Sequence, residues 1–246
     1  GGPSFFADGK EPDAWVVEEA TRRGLSIVTS AGNEGPVLST VGAPATTEDA
    51  FSIAAAVWPA TQQSNYSSLN PSAPVLFEFS SRGPLPNGSM GVDFAAPGAA
   101  LSALPSWGMS LGENWNGTSM AAPQMAGCVA LMNCAAQSSQ VVASPARIHR
   151  AFRLSAKRLS QHAWIEQGHG FIVMNDAWIA LQELDSQAWD ERQFSVAVEN
   201  QFGNGAGIYW RGLPSTVNFE QAVKVVPRFD KETTNAEKSK FLRTFQ

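Results

Sequence analysis

The sequence predicts an α/β protein in which a parallel sheet with flanking helices occupies residues 1–184 and a β-rich domain begins at 185. Three observations predict it. An amphipathic stretch over residues 11–24, stopped by Gly24, runs into the apolar segment Leu25-Ser26-Ile27-Val28-Thr29, which is one helix-to-strand unit of a parallel sheet. A long run without charge from Ser119 onward reads as a buried helix. After Asp185 the period falls to two, with Phe194-Ser195-Val196-Ala197-Val198 alternating.

Taken in order, the first helix carries Ala14, Trp15, Val17 and Ala20 on one side and Glu18, Glu19, Arg22 and Arg23 between them. The Leu25 strand closes in Gly-Asn and Gly-Pro steps, both turn signals. Phe51 to Val57 is the next strand. Residues Thr61 to Ser72, rich in Ser, Asn and Gln, read as a surface loop. Val75 to Ser80 and Ala99 to Leu104 carry fainter strand patterns, separated by the Gly- and Pro-rich turn Gly83 to Gly91. The Ser119 helix holds Pro123, placed by this reading in the first turn, where a missing N–H costs little. Further helices are predicted from Pro145 to Arg158, capped by Ser144, and from Asn175 or Asp176 to Leu184. Ile208 to Trp210 and Val217 to Phe219 continue the β pattern, and Asp230 to Lys240 reads as a solvated connection.

Composition bounds the function. The chain has 246 residues, 43% of them hydrophobic, enough for one large domain or one and a half. A net charge of −5 argues against nucleic acid and anionic membrane surfaces as partners. No apolar run reaches membrane-spanning length, and there is no signal peptide or initiator methionine, so a fragment of a longer protein is expected. Cys128 and Cys134 sit six positions apart on one predicted helix, on nearly opposite faces, and are expected as unbonded, buried thiols in a reducing compartment. No residue cluster has metal-ligand spacing, so neither metal nor cofactor is expected.

Two motifs carry the chemistry. Asn116-Gly117-Thr118-Ser119-Met120-Ala121-Ala122-Pro123 puts a small hydroxyl residue where a tight turn becomes a helix. Free N–H groups and the positive dipole end at such a junction can hold developing negative charge. Taken alone, the octapeptide also fits a serine that caps its helix. The second motif, Ser30-Ala31-Gly32-Asn33-Glu34-Gly35-Pro36, presents the Asn33 amide at the carboxyl end of a strand, where open α/β sheets bind ligands. Taken alone, it also fits an ordinary turn.

Together the motifs resemble the subtilisin-like serine peptidases, matching their oxyanion-asparagine turn and nucleophile turn residue for residue. Leu38-Ser39-Thr40-Val41-Gly42-Ala43-Pro44, Phe79-Ser80-Ser81-Arg82-Gly83-Pro84 and Ala95-Ala96-Pro97-Gly98 resemble further landmarks in the family's order. The resemblance implies that Ser119 is the nucleophile, Asn33 the oxyanion donor, and Thr118 a support of the nucleophile turn. It implies that Ala31 and Gly32 line the pocket for the residue before the scissile bond, and that Gly1 and Gly2 belong to the strand that pairs with the substrate backbone.

Gln167-Gly168-His169-Gly170 through Asp176-Ala177-Trp178, then Gly207 to Arg211 and Val226 to Phe229, resemble the tripeptidyl-peptidase branch of that family. That resemblance implies a cytoplasmic exopeptidase that takes tripeptides from the free amino terminus of peptide substrates and assembles as a large homo-oligomer.

A base for the serine is missing. The histidines, His149, His162 and His169, all follow Ser119, whereas subtilisin order is Asp, His, Ser. The triad acid and histidine are expected upstream of residue 1, and this chain alone is expected to be inactive. The alternatives are a non-catalytic scaffold of the same fold and a subtilisin-like endopeptidase. His169 is expected to be a turn residue bonded to backbone.

Overall fold

Helix α1 (Pro12–Arg22) begins with proline in its first turn, buries Ala14 and Val17, and leads into strand β2 (Ile27–Ser30). The computed structural model describes residues 2–4, 11–71, 73–102, 107, 113–186, 193–200, 203–208, 222–228 and 234–244. The chain divides into two compact units, Gly1–Trp189 and Asp190–Gln246.

In the first unit β2 pairs in parallel with β4 (Ala50–Val57), from Ile27 opposite Ala50 to Ser30 opposite Ile53. Strand β4 in turn pairs in parallel with β6 (Phe94–Pro97), from Ile53 opposite Phe94. The two-residue strand β5 (Val75–Leu76) lies antiparallel to β4, so the sheet is mixed with a parallel centre. Every residue of β4 is buried, as its unbroken apolar run requires of a strand covered on both faces. Alternation assigns the faces. Phe51, Ile53 and Ala55 join a core under helix α3 (Thr118–Ser139), while Ala54 and Ala56 join a second core with Val41, Leu85 and Val92.

Helix α3 presents Ala121, Met125, Val129, Met132 and Ala136 to the sheet at three- and four-residue steps. Helices α4 (Pro145–Ser155) and α6 (Met174–Ser186), with the one-turn α5 (Trp164–Gln167) between them in the chain, complete that core with Ile148, Phe152, Ala177 and Leu181. The Ser144 hydroxyl caps α4 by accepting the Arg147 N–H at 3.2 Å. Two antiparallel ribbons flank the sheet: β1 (Gly2–Pro3) with β3 (Gly42–Ala43), and β7 (Ala99–Ser102) with β8 (Glu113–Asn116).

Several expectations are corrected. The loop expected over Thr61 to Ser72 contains helix α2 (Pro59–Tyr66), which starts on proline and ends at Ser67 in the left-handed region. It buries none of its residues, so it left no apolar period to read. The strand expected at Val75 to Ser80 stops at Leu76, and the chain turns so that Phe77 and Phe79 stack at 4.9 Å. Pro123 is the sixth residue of α3, beyond its first turn, and removes the N–H that would bond the Ser119 carbonyl. The helix is covered on the sheet side only. Leu131 is 61% exposed, Cys128 is half-buried and Cys134 exposed, so burial of both thiols is not observed, although both are free.

In the second unit β9 (Gln193–Asn200) lies between β10 (Gly203–Gly205) and β11 (Val223–Arg228), all antiparallel, with Val198 buried. Ile208 is not in a strand, and the segments at 209–210 and 217–219 lie outside the described residues. Helix α7 (Asn235–Thr244) replaces much of the connection expected over Asp230 to Lys240. Thr234 and Glu237 start it with reciprocal bonds: the Thr234 N–H donates to Glu237 Oε2 at 2.8 Å, and the Glu237 N–H donates to Thr234 Oγ1 at 3.3 Å. No helix among the described residues is long and apolar enough to cross a membrane.

Candidate active site

Strand β2 ends in the Ala31-Gly32-Asn33 turn beside the start of α3. Gly32 has φ +115°, and a Cβ there would stand 2.6 Å from Ser81 Oγ, so the turn requires glycine. Ser81, in the Phe79–Pro84 landmark, holds the next residue by accepting the Glu34 N–H at 3.1 Å and donating to Glu34 Oε2 at 3.0 Å. On the other side, Gly117 precedes α3 and donates its N–H to the Gly98 carbonyl at 3.0 Å. A methyl on Gly98 would overlap Ala55 Cβ at 2.4 Å, which accounts for the glycine of the Ala95-Ala96-Pro97-Gly98 landmark.

Asn33 joins the two elements. Its Oδ1 accepts the Thr118 backbone N–H at 3.0 Å and the Thr118 hydroxyl at 2.9 Å. The fully buried Thr118 hydroxyl also accepts the Gly32 N–H at 3.3 Å. A backbone N–H only donates, so the amide oxygen must face Thr118 and the amide N–H groups must face away. They face the nucleophile turn: the point a Cβ on Gly117 would occupy lies 3.6 Å from the Ser119 backbone nitrogen and 3.7 Å from Asn33 Nδ2. The two nitrogens therefore border one small space. Ser119 is exposed, and its N–H has no partner among the described residues. Ser119 is the second residue of α3 and no side chain of the helix's own start caps it, so the capping alternative does not hold. Asn33, far away in sequence, does that work.

The structure thus brings together Asn33, Thr118 and Ser119. Gly2, Ala31 and Gly32 line a cleft of about 20 Å³ with Glu34 and Gly42, next to the same turn. Gly1 lies outside the described residues. Sequence reasoning missed the brace behind the site: the Tyr66 hydroxyl donates to Asn116 Oδ1, and Asn114 Nδ2 donates to the Asn65 carbonyl at 3.2 Å. Helix α2 thereby holds β8, which leads into Ser119. Reading 61–72 as a loop hid it.

None of the histidines hydrogen-bonds to Asn33, Thr118 or Ser119 among the described residues. His162 Nε2 accepts the Leu76 N–H at 3.0 Å, and burial lowers its pKa despite Glu166 nearby. The His149 ring lies against Phe51 and Phe94, with centroids at 5.0 and 5.2 Å. The His169 N–H donates to the Asp93 carbonyl at 2.7 Å, and its ring lies against Phe94 and Trp164. Burial, helped by the Arg153 charge, pushes its pKa down to about 4. Among the described residues no group of three or more His, Cys, Asp and Glu could hold a metal ion.

Comparison with known proteins agrees with this geometry. The family profile described as the Subtilase family matches residues 2–205. The chain is 31% identical over 226 residues to Tripeptidyl-peptidase 2 of Arabidopsis thaliana, covering 89% of this chain and 16% of that protein. It is 28% identical to Pyrolysin of Pyrococcus furiosus, covering 81% of this chain and 16% of that protein. The crystal structure of tripeptidyl peptidase 2 superposes with a TM-score of 0.55 at 31% identity, over 75% of this chain and 13% of that one. The chain therefore spans about a sixth of the length of these curated relatives. A profile match over most of its length places the chain in the subtilase family of serine peptidases.

Proposed function

We propose that this chain is the nucleophile-bearing portion of a peptidase that hydrolyses peptide bonds through an acyl-enzyme. Ser119 attacks the carbonyl carbon, and the Asn33 amide and the Ser119 N–H hold the developing oxyanion. The observation that carries the reading is the single space bordered by Asn33 Nδ2 and the Ser119 nitrogen at the start of a helix. Thr118 fixes the asparagine so that the donors are in place before substrate arrives. Ala31 and Gly32 line the cleft for the residue before the scissile bond, and Gly2 belongs to the strand beside which substrate lies.

The similarity to tripeptidyl-peptidase 2 supports a finer reading: release of tripeptides from the free amino terminus of oligopeptides, by a large homo-oligomer in the cytoplasm. Two free cysteines suit a reducing compartment. The general base and its orienting acid come from chain outside this sequence, since His149, His162 and His169 are engaged elsewhere.

In the full-length protein, Ser119→Ala is expected to abolish hydrolysis of an unblocked tripeptide anilide. Acetylating the substrate's amino group is expected to abolish it as well. Equal turnover of the acetylated substrate would leave a subtilisin-like endopeptidase. Absence of any serine-dependent turnover would leave a scaffold that keeps the fold, a reading motivated by the engagement of all three histidines elsewhere.

A further inference from the structure

Between positions 147 and 158 the chain carries Arg147, His149, Arg150, Arg153, Lys157 and Arg158 and no acid, although its net charge is −5. Four of these six side chains are engaged. Arg147 Nη1 lies 3.1 Å from Asp185 Oδ1, Lys157 Nζ lies 3.4 Å from Asp176 Oδ2, and the Arg158 guanidinium lies 3.9 Å above the Trp164 ring. His149 Nε2 is 3.6 Å from Asp93 Oδ1, and Asp93 Oδ2 accepts the Ser52 N–H at 2.8 Å, so that carboxylate is committed to the strand ends.

Arg150 and Arg153 have no acidic partner among the described residues, and the buried Nε of Arg150 makes no hydrogen bond. They stand one turn apart on α4, on the same face as Leu154, which is 54% exposed. The half-buried His169 ring, which feels the charges of Arg153 and Arg150, lies 6.0 Å from the Trp164 ring, and Trp164 is 47% exposed. Like charges one turn apart destabilise a helix unless something compensates them. His149 of α4 and His169 both meet Asp93, the residue before β6, at the amino end of the parallel strands, whereas Asn33 follows the carboxyl end of β2.

We propose that Arg150, Arg153 and Arg158, with Leu154 and Trp164 among them, form a docking surface for an acidic protein segment. The fitting segment presents two carboxylates one helical turn apart beside an apolar side chain. Guanidinium groups pair with carboxylates in a planar, two-bonded geometry, and the leucine and tryptophan reward an apolar neighbour. A nucleic acid fits worse. Its binding draws on many phosphate contacts, and the net negative charge of the chain opposes a long polyanion.

The test uses the full chain carrying Ser119→Ala and a fluorescein-labelled peptide, Glu-Leu-Glu-Glu-Leu-Glu, followed by fluorescence anisotropy. The glutamate peptide is expected to bind roughly tenfold or more tightly than its glutamine counterpart, with the preference lost in about 0.5 M salt. The double variant Arg150→Gln, Arg153→Gln is expected to lose the preference while keeping its circular dichroism spectrum. Lys157→Gln, whose exposed lysine already pairs with Asp176, is expected to keep it. Equal binding of the two peptides would overturn the proposal. So would an unaffected double variant, or an arginine-dependent preference for anionic vesicles or single-stranded DNA over the peptide.

Discussion

The two ends of the parallel strands differ in what their polar groups are left free to do. At the carboxyl end, Asn33 spends its oxygen on Thr118 and keeps its amide N–H groups for the space shared with the Ser119 nitrogen. Around Leu159 to His169, polar groups are consumed by the fold. The fully buried Gln167 accepts the Leu159 N–H at 2.7 Å, donates to the Leu159 carbonyl at 2.9 Å and donates also to the His162 carbonyl. Both regions are dense in hydrogen bonds. What separates a candidate catalytic amide from a structural one is a donor with no hydrogen-bond partner among the described residues, next to the exposed Ser119.

The contrast can be broken most forcefully at Asn33. Asn33→Ala in the full-length protein is expected to lower kcat by roughly a hundredfold to a thousandfold, because an oxyanion donor is lost. It should also destabilise the start of α3 by about 1 kcal/mol, because the Thr118 N–H loses its acceptor. Asn33→Asp separates the two duties. It keeps the acceptor and loses the donors, so chemical denaturation should change little while kcat falls as far as in the alanine variant. An aspartate variant with near-normal turnover would remove Asn33 from the oxyanion role.

At the other end, Gln167→Leu strands the Leu159 N–H and two carbonyls in the interior and should cost about 2–4 kcal/mol in urea unfolding. A loss no larger than that of a surface substitution would show that the loop repacks around the change. The smallest effect lies with His169. Its folded pKa of about 4 is below the ordinary 6.5, so between those values the unfolded chain binds more protons. Its contribution to stability is intact above pH 6.5 and is lost as pH falls toward 4. Compared with the wild type, His169→Asn should show a shallower loss of urea midpoint between pH 6.5 and 4.5, with the gap between the two largest above pH 7 and narrowing as pH falls.

Both local motifs were legible because each is set by turn chemistry: glycines at 32 and 117, an amide or hydroxyl beside each, and an apolar run adjoining. The strand at Phe51 to Val57 and the helices at Pro12, Ser119, Pro145 and Met174 were legible from apolar periodicity and caps. The long-range bond from Asn33 to Thr118, which binds the motifs into one site, left no local trace. Helix α2 was missed because it buries nothing, and the exposed side of α3 was read as core because its outward residues are alanines, glycine and leucine. The start of α7 could have been found, since Thr234-Asn235-Ala236-Glu237 has the spacing of a reciprocal cap.

Asn33 tethers the start of α3 and, in the proposed mechanism, also donates to the oxyanion, which would make the centre self-policing. If the end of α3 drifts from its strand, the tether lets go and the donor swings out of line in the same motion. A loosened molecule would fall silent instead of cutting carelessly, a useful failure mode for any protease that shares its surroundings with proteins it must spare.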